Sequence, residues 1–248
     1  MTSAGQAPPD APMDVVIEHY DQQYAEGGFG YGAQRDRWAA WVRRHYIDEF
    51  ELRPGETLLD VGCGDGFWTD LFAEAGFPST GVDFSPGGIE VARTAYPRPT
   101  FLVGDAEDLP FADDSFDIVF TRAISHLSRP DLFTDASRRL MASMRRVLRP
   151  GGLILISFYS RRDGGGTPEH AWHRVSDLVR LIEGVADPFH IDVTGNYVQI
   201  GAQRWDAPRA RSGRTNGASR RTSPTPGSSA RGTLRRALGR ARRALRGR

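Results

Sequence analysis

From residue 57 onward the chain alternates between two patterns. Short, nearly continuous apolar runs occur at Thr57–Val61, Ser79–Asp83, Thr100–Val103, Phe116–Thr121 and Leu153–Phe158. Between them, apolar residues recur three or four positions apart, at Phe67–Ala75, Pro86–Ala95 and Asp131–Leu148, with an irregular stretch across Ala106–Asp114. The runs predict strands buried on both faces, and the spaced segments predict helices. Strands of that kind separated by helices form a parallel sheet covered on both sides. A further helix is predicted over Ala171–Ile182, followed by strands at Phe189–Val193 and Tyr197–Gln203. The few residues between those strands imply a closing antiparallel hairpin. The expected fold is α/β: a doubly wound, mostly parallel, seven-stranded Rossmann-like sheet with helices on both faces.

Upstream of this core, residues 1–11 are polar and Pro-rich and are expected to be disordered. Residues 12–50 read as a helical lid. One helix covers Met13–Ala25, with Val16, Ile17, Tyr20 and Tyr24 at helical spacing, and a second covers Arg35–Phe50, with Trp38, Trp41, Val42 and Tyr46 on one face. The link "EGGFGYG" (Glu26–Gly32) places Phe29 and Tyr31 among glycines, as a mobile aromatic cover would. The main domain is expected to span 51–205. Beyond it, residues 206–248 are rich in Arg, Ser, Gly, Pro and Thr, a composition that cannot build a core. Within that tail Leu234, Leu238, Ala241 and Leu245 form one apolar stripe among arginines, predicting an amphipathic helix over 231–246.

Charge changes the picture of possible partners. The net charge is only +1, yet residues 204–248 hold 14 Arg against one acid, Asp206. The body is correspondingly acidic, which argues against nucleic acid as its own ligand. The basic, striped tail reads first as a solvated extension, next as a weak contact with an anionic membrane surface, and last as a segment docked on the acidic body. Every basic residue is Arg, so lysine-based chemistry is excluded. The single cysteine, Cys63, excludes an internal disulfide and a cysteine-cluster metal site. The first residues show no leader pattern and no apolar run approaches the length of a membrane span, so a cytoplasmic protein is expected, at most peripheral to a membrane.

The chemistry concentrates after the first strand, where "LLDVGCGDG" places Gly62, Gly64 and Gly66 at alternate positions. In an open α/β sheet ligands bind beyond the carboxyl ends of the strands. The dinucleotide fingerprint G-x-G-x-x-G is not met, since the third glycine comes one residue early, and no P-loop lysine exists. Asp83, ending the second strand, can accept hydrogen bonds from ribose hydroxyls. This feature is shared by NAD and S-adenosylmethionine sites and does not by itself choose between them.

Four ordered segments, "LLDVGCGDG", "GVDFS", "GDAEDLPFADDSFDIVF" and "RRVLRPGGLILIS", resemble the class I S-adenosylmethionine-dependent methyltransferases, in particular the small-molecule group that includes the ubiquinone-biosynthesis C-methyltransferases. The resemblance spans about Leu52 to Phe158. It implies that Asp60 orients the ammonium end of the methionine moiety while Gly62, Gly64 and Gly66 let the backbone pass against the cofactor. Asp83 would take the ribose hydroxyls with Phe84 beside the adenine, and Asp105 and the Ala106 N–H would meet the adenine edge. Thr121 and Arg122 would border the methionine part and the transferred methyl group. His126, five residues past the fourth strand, is the candidate general base; a satisfied structural histidine is the competing reading.

Other readings are weaker on the residues. His170 and His173 share a three-residue spacing but have no evident third metal ligand, so no metal is expected. Cys63 has no base beside it and reads as a small residue in a crowded loop. The expected activity is methyl transfer to a small molecule, most simply to a hydroxyl, on a glycan or lipid-linked intermediate if the tail meets a membrane. The alternatives are an RNA methyltransferase gripping through its tail, a cofactor-binding protein without catalysis and, last, an NAD-dependent dehydrogenase.

Overall fold

The computed structural model describes residues 13–28, 30–127, 129, 131–159, 165–167, 170–194 and 197–204. The arginine tail and its predicted helix over 231–246 lie outside the described residues, as do residues 1–11 and Phe29.

The centre is a seven-stranded sheet in the order β3-β2-β1-β4-β5-β9-β8. Strands β1 (Leu58–Val61), β2 (Ser79–Asp83), β3 (Thr100–Val103), β4 (Phe116–Arg122) and β5 (Leu148–Tyr159) run parallel. Strand β9 (Tyr197–Gln203) is antiparallel to both β5 and β8 (Asp187–Thr194). The chain winds outward in one direction from β1 to β3 and then restarts on the other side of β1 at β4. The order therefore reverses at the β1/β4 boundary, which is where such sheets open a ligand crevice.

Side-chain alternation divides the core between the two faces. On one face Leu58, Ile118, Phe120 and Leu155 pack with Val42, Tyr46, Phe67, Leu71 and Phe72 from the N-terminal helices and α3 (Phe67–Glu74). On the other, Leu59, Val61, Val119, Ile154 and Ile156 pack with α5 (Asp135–Val147) and α6 (Val175–Glu183). Neighbours along each strand thus serve opposite faces, the period of two that a doubly covered sheet imposes.

Helix boundaries follow local capping. α4 (Pro86–Ala95) begins where the Ser85 hydroxyl accepts the Gly88 N–H at 2.9 Å, with Pro86 in the first turn. α5 starts four residues later than the apolar spacing predicts. The Thr134 hydroxyl accepts the Ser137 N–H at 3.1 Å, while Asp131 accepts the Phe133 N–H, so 131–134 form a turn and cap.

Three expectations are corrected. The single helix over Arg35–Phe50 is α2 (Arg35–Val42) continued by a π-helix over Arg43–Asp48. The wider turn brings Tyr46 and Ile47 into the core together, and the Tyr46 hydroxyl meets the Ser157 hydroxyl at 2.6 Å. The helix predicted over Ala171–Ile182 begins only at Val175, because His170–Trp172 is a strand (β7) paired antiparallel with Gly165–Thr167 (β6). Strand β5 reaches back to Leu148, with its register against β4 shifting between Phe116 and Ile118.

The first helix, α1 (Met13–Ala25), lies against α4. Val16, Tyr20 and Tyr24 form a small core with Phe84 and Val91. One carboxylate clasps this contact: Asp21 accepts from the Ser85 hydroxyl at 2.5 Å and the Gly87 N–H at 2.9 Å, so α1 supplies an acid to the N-terminus of α4.

Candidate cofactor and acceptor site

The glycine turn sits at the carboxyl end of β1, beside the point of reversal. Gly62, Gly64 and Gly66 have φ of 76°, 54° and 80°. A side chain at any of them would be strained, and two face crowded neighbours. A Cβ at Gly66 would come within 2.6 Å of Phe101 and 2.8 Å of Ala92, and one at Gly64 within 2.5 Å of the Tyr24 hydroxyl. Gly66 is therefore required by the core, where α3 meets α4 and β3. The space over Gly64 faces Tyr24 of the first helix, α1.

Three carboxylates surround this turn. Asp60 is 2% exposed and accepts the Thr69 hydroxyl at 2.6 Å. Burial pushes it up to about 7, with Thr69 and Arg122 opposing the rise and Asp83 and Asp65 adding to it. Asp83 accepts the Gly64 N–H at 2.8 Å through one oxygen and the Ser85 N–H at 3.0 Å through the other. Burial pushes it to about 6 against these backbone bonds. Asp65, between the glycines, is also raised by burial. Its carboxylate would collide with a Cβ at Gly28, in the turn that follows α1.

This donor set distinguishes the cofactors left open by the glycine spacing. Acids gathered this closely repel a pyrophosphate and attract a cation. They fit S-adenosylmethionine, which carries a sulfonium and an ammonium, and whose ribose hydroxyls need acceptors. Each Asp83 oxygen keeps a lone-pair site after accepting one backbone bond.

The remaining candidates occupy different positions. Phe84 meets Tyr20 edge-on with ring centroids 5.5 Å apart. Asp105 is exposed, and its carboxylate accepts the Glu107 N–H at 2.8 Å, forming a turn whose Ala106 packs on the main core. The Thr121 hydroxyl is buried and donates to the Val61 carbonyl at 2.8 Å, tying β4 to β1. Arg122 stacks on Trp68, 4.3 Å from the ring centroid, and donates to the Tyr31 hydroxyl at 3.1 Å. Tyr31, Trp38 and Trp68 meet edge-on around it. Past Arg122 the chain crosses the glycine turn, with Ile124 Cγ1 3.2 Å from a Cβ at Gly62. His126 follows in a 3₁₀ turn, its Nε2 3.1 Å from Glu107 Oε1. Cys63 is buried and its thiol is raised by burial, so it stays protonated. Among the described residues no cluster of three His, Cys, Asp or Glu could hold a metal ion.

Sequence reasoning missed Asp21, Asp65, Trp68 and Glu107. Asp65 lies inside the glycine motif and could have been weighed with its neighbours. The others reach the site only through folding, and no local pattern marks them.

Sheet order, reversal point and acid-lined glycine turn define a Rossmann-like domain with its ligand crevice at the end of β1. Residues 59–156 match a family described as a methyltransferase domain. A demethylmenaquinone methyltransferase of Renibacterium salmoninarum is 34% identical over 151 residues, covering 60% of this chain and 58% of its own. A malonyl-[acyl-carrier protein] O-methyltransferase of Serratia marcescens is 36% identical over 104 residues, covering 42% and 38%. A crystal structure from Pyrococcus horikoshii shares the fold with a TM-score of 0.62 at 21% identity, covering 73% of this chain and 98% of that one. The chain thus spans about half the length of the curated relatives it matches. Residues 59–156 are thus similar to a methyltransferase domain, and the relatives that share this stretch are named as methyltransferases.

Proposed function

We propose that this protein transfers a methyl group from S-adenosylmethionine to a hydroxyl of a small-molecule acceptor. The observation that carries the reading is the pair of buried acids, Asp60 and Asp83, with half-buried Asp65 beside them, around three glycines in left-handed backbone. Bound S-adenosylmethionine supplies a methyl group already activated on a sulfonium. The protein's task is then to hold the acceptor close and aligned. Asp83 accepts the ribose hydroxyls, Asp60 faces the ammonium end, and Asp105 with the Ala106 N–H meets the adenine edge beside Phe84. Thr121 acts from behind by fixing the end of β1.

The acceptor pocket is bounded by the lid over residues 12–50 and by the segment after β4. Arg122, held on Trp68 and Tyr31, presents a fixed cation at its edge. His126 supports a hydroxyl acceptor: its imidazole is lowered by burial, with Glu107 partly opposing, and is neutral and able to take a proton. The quinone and malonyl-carrier enzymes named among the relatives support a small-molecule acceptor. Among the described residues no helix is long and apolar enough to cross a membrane. The arginine-rich tail suits reversible contact with anionic lipid, which would bring a glycan or lipid-linked acceptor near.

Titration calorimetry with S-adenosylmethionine, S-adenosylhomocysteine and NAD tests the reading. Binding of the first two and not the third, lost in Asp83→Ala, is expected. Binding of NAD alone would overturn it. Deletion from Asp206, assayed on anionic vesicles and on RNA across salt concentrations, tests the tail.

A further inference from the structure

Three elements that are distant in sequence converge on one carboxylate. Glu107 lies in the turn after β3, two residues past Asp105, which holds its N–H. His126 lies after β4, its carbonyl accepting the Ser137 hydroxyl at 3.3 Å. Arg139 projects from α5. Glu107 Oε1 is 3.1 Å from His126 Nε2, while Oε2 accepts from Arg139 Nε and Nη2, both at 2.7 Å. The His126 and Glu107 side chains are 14% and 19% exposed, and Arg139 reaches solvent at 60%. The other ring nitrogen, Nδ1, is buried and has no hydrogen-bond partner among the described residues.

The protonation pattern follows from these contacts. Burial raises the Glu107 carboxyl, but the bonds from Arg139 and His126 outweigh it and hold the acid below its ordinary range. Glu107 is therefore a carboxylate near neutral pH and can only accept. Burial lowers His126; Glu107 and Asp105 oppose this and Arg129 adds to it, and the net direction is down. A neutral imidazole facing a carboxylate through Nε2 must carry its proton there, which leaves a bare lone pair on Nδ1. Buried polar atoms are ordinarily paired, so the bare Nδ1 is a place where a ligand's hydroxyl can bond.

We propose that Glu107 is a positioning residue that locks His126 as the Nε2–H tautomer, making Nδ1 the atom that takes the proton of the acceptor hydroxyl. The proposal rests on the methyl-transfer reading above and deepens it. The hydroxyl oxygen forms its bond to the methyl carbon while the carbon–sulfur bond breaks and leaves its electron pair on sulfur. The hydroxyl proton passes to Nδ1, and the resulting imidazolium is balanced by the Glu107 carboxylate, itself anchored by Arg139. The proton then returns to solvent.

Long-range ¹H–¹⁵N correlation spectra of the full-length protein, titrated with pH, test this without a known acceptor. The His126 signals are identified by their loss in His126→Gln. Wild type should show the Nε2–H tautomer with Nδ1 unprotonated. Glu107→Gln should lose this single-tautomer signature and titrate at lower pH, because the carboxylate that favours the imidazolium is gone. Arg139→Ala, changed at a largely exposed side chain, should keep the tautomer and titrate at higher pH, which preserves a test if Glu107→Gln fails to fold. An Nδ1–H tautomer in wild type, or an unchanged tautomer and titration in a folded Glu107→Gln, would overturn the proposal. Calorimetry with S-adenosylmethionine on the same samples reports separately on the methyl-transfer reading, since Glu107 meets the proposed cofactor contact Asp105 only through its backbone N–H, which Glu107→Gln leaves in place.

Discussion

Asp83 at the end of β2 accepts the backbone N–H of Gly64 at 2.8 Å, so the acid proposed to hold the cofactor's ribose also holds the glycine turn in shape. Site geometry and site electrostatics are therefore coupled. Any change in the charge of Asp83 is felt by the turn, and any change in the turn is felt by the carboxylate.

A pH dependence follows. Asp60 and Asp83 sit at about 7 and about 6 in the fold, above their ordinary value of about 3.9 when unfolded. Their raised values contribute stability that is complete below about pH 4 and lost as pH rises through 6 to 7. A cationic ligand reverses the preference by favouring both ionised forms. Affinity for S-adenosylmethionine should therefore rise with pH through that window, with proton release. Calorimetry at pH 6.5 in buffers of different ionisation enthalpy measures the protons directly.

The three glycines should separate on substitution. Gly66→Ala places a methyl group against Phe101 and Ala92 at a positive φ, and should cost about 2–4 kcal/mol from backbone strain and overpacking. Gly64→Ala meets the tip of a tyrosine side chain instead. It should cost less stability but push Tyr24 and α1 away. Chemical denaturation measures the first effect, and hydrogen exchange over Met13–Ala25 the second.

Asp21→Ala removes the acid that α1 lends to the N-terminus of α4, a loss of about 1 kcal/mol by analogy with helix caps. Because the contact joins α1 to α4, exchange protection should fall in α1 while the sheet keeps its own. Equal loss across the sheet would mean that α1 is part of the main core.

The Tyr46–Ser157 pair should behave cooperatively. Tyr46→Phe leaves the buried Ser157 hydroxyl without this partner, and should cost about 1–3 kcal/mol. Removing both hydroxyls should cost less than the sum of the two single changes. A double-mutant cycle by thermal unfolding gives the coupling.

Much of the sheet was legible before any coordinates. β2, β3, α1 and α4 fall where the apolar pattern and the Ser85–Pro86 start signal put them, because their ends are set by residues within a turn of the boundary. The misplaced boundaries answer to distant partners. The π-helix exists where Tyr46 reaches Ser157, 111 residues away, and β7 interrupts the predicted sixth helix because its backbone pairs with β6.

The candidate site divides in the same way. Asp60, Gly62, Gly64, Gly66 and Asp83 sit at the ends of strands, where direction and spacing already imply a ligand crevice. Glu107 could not be singled out from "GDAEDLPF", since its meaning comes from His126 and Arg139, which only the winding of the sheet brings to it. Thr121, which the family resemblance put beside the ligand, has its hydroxyl on the Val61 carbonyl, a bond set by the register of β4 against β1. The order of residues determined the strands, the helices, the glycine turn and the acids beside it, because those depend on backbone conformation and short-range periodicity. Tertiary structure alone decided which acids share a buried charge, which helix covers them and which nitrogen of His126 is left bare, because burial and Coulomb coupling act through space and not along the chain.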